Sequence, residues 1–385
     1  MSDTIRFRVD TPPEKRDRLI RKLERLSKKA TPSFSIQPVG RDAGFLPLSF
    51  EQERLWFLDQ LQPDTHFYII SKITPLGEAI NAVAFHSAIT EVVRRHEVLR
   101  TVFVTGDNGP RQVIHGPRTV DFPQVDLTAL APNDCRIVAA EMLAKEGQRP
   151  FVLKTAPLFR SLFIRATSSQ SLSVLTSHHI ITDAWSSAIL DRELTGLYRS
   201  YSSGQPSPLA EILLQYADYA VWQRRQFQGE FLDRQVRYWR SQLENAPTVL
   251  TLPADKARPS MQRHAGAMES FGISRDVTAS LRSLNQAESV TLFMTLLCGF
   301  GVLLYRYSNE RDIVIGTPTA GRNSLELEAL VGFFVNTLVL RLTMGSETVV
   351  SDFIKQVRDV ALGAYAHQDI PFEKLVEELK VERSL

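Results

Sequence analysis

Three residues in the stretch SLSVLTSHHIITDAW (171–185) have types and spacing suited to chemistry: the adjacent His178 and His179, and Asp183 four positions on. An imidazole with a free pKa of about 6.5 exchanges protons near neutrality, so either histidine is chemically able to act on a reacting amine or hydroxyl. The run 172–179 reads as a strand. Leu172, Val174, Thr176 and His178 then share one face, and Ser173, Leu175, Ser177 and His179 the other. Neighbouring imidazoles on opposite faces are badly placed to ligate one metal ion, and no metal site is expected. One ring should enter a site while the other packs inside. Asp183 falls across a strand-to-helix turn, where a carboxylate caps the coming helix or pairs with a buried cation. Taken alone, a histidine and an aspartate near a strand end are more often structural than catalytic.

Other chemistries lack their signatures. The chain has no Gly-rich phosphate loop, no GxSxG elbow and no HExxH. Nucleotide chemistry, serine hydrolysis and zinc proteolysis are therefore poor candidates. Two cysteines, Cys135 and Cys298, form no CxxC-type cluster, which excludes a zinc ribbon or a disulfide scaffold and fits a reducing compartment.

The elements that must position these residues are legible in outline. Helical periodicity marks 49–61, 82–98, 183–201 and 214–244; alternation and β-branched residues mark strands in TVFV, RQVIHG, SLFIRAT and SLSVLTSHH. LTLPADKARPS (250–260) reads as a crossing between two halves. A strand at 268–273, an apolar core helix at 289–305, strands at 312–320 and 332–342, and a helix at 350–368 follow. Interleaved helices and strands in both halves predict an α/β (α+β) class with two lobes. The length of 385 residues agrees, at roughly 150 residues per domain.

A net charge of +2 argues against a nucleic-acid partner, and the longest uncharged stretch, Ser289 to Tyr305, falls short of a membrane span. No membrane partner is expected, and the start lacks a signal-peptide layout; a cytoplasmic protein is the expectation. Segment 14–29, EKRDRLIRKLERLSKK, carries a net +5 and one narrow apolar stripe, Leu19, Ile20, Leu23 and Leu26. Residues 1–45 thus read as a basic amphipathic helix plus linker, suited either to packing on its own protein or to docking an acidic partner.

HHIITDAW (178–185) resembles the HHxxxDG signature of condensation domains from nonribosomal peptide synthetases. Further stretches resemble that family's other blocks in order: LPLSFEQERLWFLDQL (46–61), RRHEVLRTVF (94–103), QYADYAVWQ (215–223), IGTPTAGRN with LVGFFVNTLVLR (315–323, 330–341), and HQDIPFEKLVEEL (367–379). The resemblance implies a chloramphenicol acetyltransferase-like fold: two lobes meeting in a V, with a tunnel between them. Lobes are expected at 46–210 and 211–385.

The implied reaction is amide formation. An acyl or peptidyl thioester on one carrier protein is attacked by the amine of an aminoacyl group on a second carrier, each presented on a phosphopantetheine arm. The implied partners are an upstream donor carrier, a downstream acceptor carrier and the adenylation domain of the same module, with no cofactor bound by the domain itself. By the motif, His179 faces the tunnel and either removes a proton from the attacking amine or orients that amine and the developing charge. His178 is the buried partner that fixes local structure. Asp183 resembles a structural aspartate paired with an arginine, for which Arg100 is the candidate. Asn336 borders the tunnel or serves backbone structure. Trp56, Trp185, Trp222 and Trp239 are expected in packing. Block wording is closest to domains joining two L-configured units; a starter type that attaches a fatty acyl group is the alternative.

Two features depart from the family pattern. Ala184 replaces the motif glycine, and a mild loss of activity is expected from its methyl. The chain stops at VERSL (381–385), inside what resembles the start of a seventh block, so an incomplete second lobe is expected. These departures support a non-catalytic, partner-recruiting reading beside the enzymatic one. An epimerising relative or an acyltransferase using free alcohols fits the remaining blocks less well.

Overall fold

A computed structural model describes residues 35–380, apart from 42–43, 64, 78–79, 108, 168–169 and 258–265. The basic helix expected at 14–29 lies outside the described residues. Its neighbouring linker is in part pinned: Ile36 is buried, Val39 N–H donates to Asp218, and Arg41 bridges Glu97 and Asp218.

The first half is built on two sheets. Strands β1 (Leu46–Pro47), β3 (Thr101–Gly106) and β4 (Gly109–Ile114) form one, in the order β1-β4-β3. Strands β2 (Ile69–Leu76), β5 (Gln124–Asp126), β6 (Phe159–Arg165) and β7 (Ser171–His178) form the other, in the order β2-β7-β6-β5. Only β5–β6 is parallel among these pairs. Helix α1 (Phe50–Leu61) starts with a capping box, in which Ser49 Oγ accepts from Gln52 N–H and Gln52 Oε1 accepts from Ser49 N–H. Helices α2 (Ala82–Arg95), α3 (Pro132–Gln148) and α4 (Ala184–Ser202) complete this half.

The second half contains α5 (Tyr216–Gln226), α6 (Gly229–Leu243), α7 (Arg275–Glu288), α8 (Leu292–Ser308), the antiparallel pair β8 (Asp312–Thr319) and β9 (Asn336–Thr343), the short α9 (Leu325–Glu328), α10 (Val350–Ala366) and α11 (Phe372–Leu379). Two main hydrophobic cores result. One gathers Leu55, Ile89, Leu99, Phe103, Leu158 and Ile180, the other Trp239, Leu297, Ile313, Leu340, Phe353 and Val357. The first core also takes Tyr216 and Tyr219 of α5 together with Leu327, Leu330, Phe333 and Phe334. Chain from beyond residue 210 is therefore woven into the first core, and this crossing builds the site below.

Three sequence expectations change. The single helix at 214–244 is two, broken where Gly229 takes φ +56. Residues 268–273 join no ladder, and Met268 and Phe271 stand exposed. Without a pairing strand, their β-favouring side chains have nothing to pack on. The apolar helix expected as a core helix is buried on one face only. Met294, Leu297 and Cys298 enter the core while Phe293, Leu296, Phe300, Leu303 and Tyr307 are exposed. The sequence reading assigns no element to strand β2 or to helices α3, α7 and α11. In α3 the apolar residues make only a faint stripe, with Cys135 and Ala139 its sole buried positions.

Candidate active site

Strand β7 ends at His178, and a 3-10 turn, His179–Ile181, leads to α4. His179 is thus not a strand residue, and the turn rather than strand alternation parts the two rings. The expected separation still results. His178 is buried, near the rings of Tyr68 and Phe151. Its Nδ1 accepts from Ile180 N–H at 3.1 Å, which places the ring proton on Nε2. Burial, with His179 alongside, pushes its imidazole down to about 3. His178 stays neutral and serves as a turn cap.

His179 is only partly buried, and its ring meets Phe333 edge to face at 4.8 Å between centroids. Its Nδ1 lies 2.7 Å from the Thr182 carbonyl oxygen. A carbonyl only accepts, so in the neutral ring Nδ1 carries the proton and Nε2 the lone pair. Nε2 has no hydrogen-bond partner among the described residues. The backbone holds the ring from its other end, His179 N–H donating to Tyr68 O at 2.7 Å. The turn therefore delivers an oriented imidazole with its basic nitrogen available.

Asp183 is 1% exposed and caps α4, Oδ1 accepting from Ser186 N–H at 2.7 Å. Its Oδ2 accepts from Phe334 N–H at 3.1 Å, and Arg322 Nη2 stands 3.4 Å from Oδ1. Arg322 in turn donates to Ser186 Oγ at 2.8 Å and to Leu330 O at 2.7 Å, with its guanidinium over the Phe334 ring. Arg322, not Arg100, is the cation on Asp183. Arg100 ends a 3-10 turn ahead of β3, donates to His115 O beside β4, and lies near Glu97. Two glycines permit the Arg322 loop to come this close. A Cβ on Gly321, which has φ +65, would stand 2.0 Å from Phe334 O, and one on Gly332 would enter the Tyr216 ring.

Asn336 serves backbone structure. Its Nδ2 donates to Gln368 O and Ile370 O, and its Oδ1 accepts from Phe372 N–H and Thr337 N–H. Ala184, the first residue of α4, is exposed and lines a cavity of about 890 Å³. The residues with positive φ do not include it, so its methyl costs no backbone strain here. The same cavity is walled by Trp185, Ala188, Arg192, Leu325 and Val335. Trp185, expected in packing, is 44% exposed there, although its indole N–H donates to Glu328 O. Arg322, which pairs with Asp183, and Phe333, which meets the His179 ring, are residues that the sequence reading does not single out.

Among the described residues no three His, Cys, Asp or Glu side chains gather as metal ligands, and no single helix is long and apolar enough to cross a membrane.

A model of the family described as Condensation domain matches residues 42–385. A linear gramicidin synthase of Brevibacillus parabrevis is 44% identical over 348 residues, covering 90% of this chain and 7% of that protein. Phosphinothricin tripeptide synthetase PhsC of Streptomyces viridochromogenes is 42% identical over 345 residues, covering 89% of this chain and 32% of that protein. The chain thus spans a third or less of these two relatives. Among solved structures, the X-domain in complex with OxyB from teicoplanin biosynthesis superposes with a TM-score of 0.83 at 26% identity, over 92% of this chain and 77% of that one. The starter condensation domain of rhizomide synthetase with C8-CoA gives 0.75 at 25%, over 89% and 76%. The first condensation domain of the CDA synthetase shares the fold, at 0.71 and 20%, over 87% and 79%. The mixed α/β architecture expected from the sequence is the one these structures share.

Proposed function

Because this chain belongs to the condensation-domain family, we propose that it joins a carrier-bound acyl or peptidyl thioester to a carrier-bound aminoacyl amine, forming an amide. The observation that carries this reading is the His179 ring, with Nδ1 fixed on Thr182 O and Nε2 without a hydrogen-bond partner among the described residues. In the reaction the amine nitrogen bonds to the thioester carbonyl carbon, the carbon–sulfur bond breaks, and the departing pantetheine thiol takes up a proton. Nε2 removes the proton the amine must lose, or orients that amine for attack. Substrates arrive on phosphopantetheine arms of an upstream donor carrier and a downstream acceptor carrier, beside an adenylation domain of the same module. Block wording favours joining two L-configured units over fatty-acyl starting, and the small net charge fits a cytoplasmic synthetase with neither nucleic acid nor membrane as partner.

A second reading, recruitment of a partner protein without catalysis, is favoured by the superposition on the X-domain bound to OxyB. A single-turnover assay decides between them. One carrier is loaded with an aminoacyl donor and another with an aminoacyl acceptor, and carrier-bound product is read by mass spectrometry. Product that disappears in His179→Ala supports condensation. No product from folded protein across a broad donor panel, with a starter acyl donor included, supports recruitment.

A further inference from the structure

Beside His179, α1 from the first core and α11 from the second are joined by an ion pair. Arg54 Nη1 lies 2.9 Å from Glu373 Oε1. The same guanidinium stands over the Phe333 ring, 5.8 Å from its centroid, and Phe333 is the ring that His179 meets at 4.8 Å. Phe333 is held from behind, where Tyr216 donates to its carbonyl. Its ring thus neighbours both a cation and the imidazole. Both Glu373 oxygens are buried, and neither accepts a well-aligned hydrogen bond among the described residues. Buried carboxylates are normally satisfied, and an under-satisfied one beside a site calls for an explanation. Glu53 on α1 adds negative charge next to it, so Arg54 is the counter-charge on which the arrangement depends.

We propose that Arg54 and Glu373 are positioning residues: their ion pair fixes the spacing of α1 and α11 and, through Phe333, the attitude of the His179 ring. The proposal deepens the condensation reading and rests on it for its kinetic consequence, though not for the contact itself. A pair between the two cores is suited to this task because it ties α1 to α11 at a defined distance. Neither residue is a proton donor or acceptor in the reaction. Removing one partner leaves a part-buried, uncompensated charge and lets Phe333 shift. A displacement of about 1 Å at the imidazole is enough to lower turnover on the order of tenfold to a hundredfold.

The test uses the full chain, with histidine selectively labelled with 15N, as wild type and as Glu373→Gln, Arg54→Met and the conservative Glu373→Asp. The His179 resonance is assigned by its loss in His179→Ala, and thermal unfolding establishes that each variant folds. The expected result has two parts. The His179 ring resonances move in Glu373→Gln and Arg54→Met and return towards wild type in Glu373→Asp. In single turnover, the rate constant of amide formation falls tenfold or more in the first two, while the carrier concentration at half saturation is unchanged. Unmoved His179 resonances in folded variants overturn the proposal, as do moved resonances with an unchanged rate. Moved resonances in a protein whose wild type forms no product uphold the positioning contact and instead refute the condensation reading.

Discussion

Asp183 and Arg322, 139 positions apart, form a buried ion pair at 3.4 Å whose two members also organise the backbone around them. Asp183 caps α4 and receives Phe334 N–H; Arg322 holds Leu330 O and Ser186 Oγ. The helix N-terminus behind His179 and the segment carrying Phe333 are therefore set by one interaction. Breaking one side of such a pair costs about 3–5 kcal/mol, because the remaining charge is stranded. Asp183→Ala should lose that stability in urea denaturation, with turnover lost in parallel. Arg100→Ala should leave the Asp183 network intact and cost far less at the site. Equal effects of the two substitutions on turnover would contradict the assignment of Arg322.

The two histidines should separate cleanly. His179→Ala removes a part-exposed ring with a free nitrogen, so the melting temperature should hold while the rate falls about 10²-fold or more. His178→Ala removes a buried ring that caps the turn through Ile180 N–H. It should cost about 2–4 kcal/mol of stability and reduce activity mainly through the folded fraction. Burial keeps His178 neutral down to about pH 3, so its loss should leave the shape of the pH–rate profile unchanged. A displaced profile in a folded His178 variant would refute its purely structural role.

The parts of the candidate site legible in the sequence are those fixed by neighbours along the chain. The turn from β7 to α4 places His178, His179 and Asp183 within six residues, and the periodicity of 49–61 marks α1. What escaped depends on distant contacts. Arg100 and Arg322 look alike as residues; only the fold, with Gly321 and Gly332 admitting a close backbone, brings the second to Asp183. The apolar run through Phe333 and Phe334 reads as strand from 332 onward, yet β9 begins at Asn336, because Phe334 packs with Tyr216 and Tyr219 and Phe333 with His179 instead. Asn336 has the polar amide of a binding residue, but its hydrogen-bonding capacity is spent on the backbone at 337 and 368–372.

The methyl of Ala184 could cost activity through backbone strain or through crowding. The structure leaves only crowding, since the residue opens α4 with ordinary backbone and lines the cavity beside Trp185. Ala184→Gly should therefore leave the rate with a small aminoacyl donor within about twofold, as a shift below roughly 0.4 kcal/mol. With a branched or aromatic donor the rate should rise. The measurement is single-turnover rate across donors of increasing side-chain volume. A uniform gain for all donors would point to backbone strain after all.

Glu51 makes folding depend on pH in an identifiable direction. Burial raises its carboxyl to about 7, with Glu373 adding to the rise and Gln223 and Ser49 opposing it. In the unfolded chain the same group ionises near its ordinary value of 4.5. The folded protein therefore holds a proton that the unfolded chain has released, and stability falls as pH climbs from about 4.5 through about 7. The full change is on the order of 3 kcal/mol. Glu193 acts oppositely, but elsewhere: although burial opposes it, bonds from His96 and Arg95 pull it down to about 2, so its contribution is lost only below 4.5. Glu51→Gln mimics the protonated form, and its Oε1 can still accept from Gln223 Nε2. Urea midpoints at pH 5.5 and pH 8 should therefore differ less in Glu51→Gln than in wild type, and the variant should be the more stable of the two at pH 8. An unchanged difference between the two pH values would place the titrating group elsewhere.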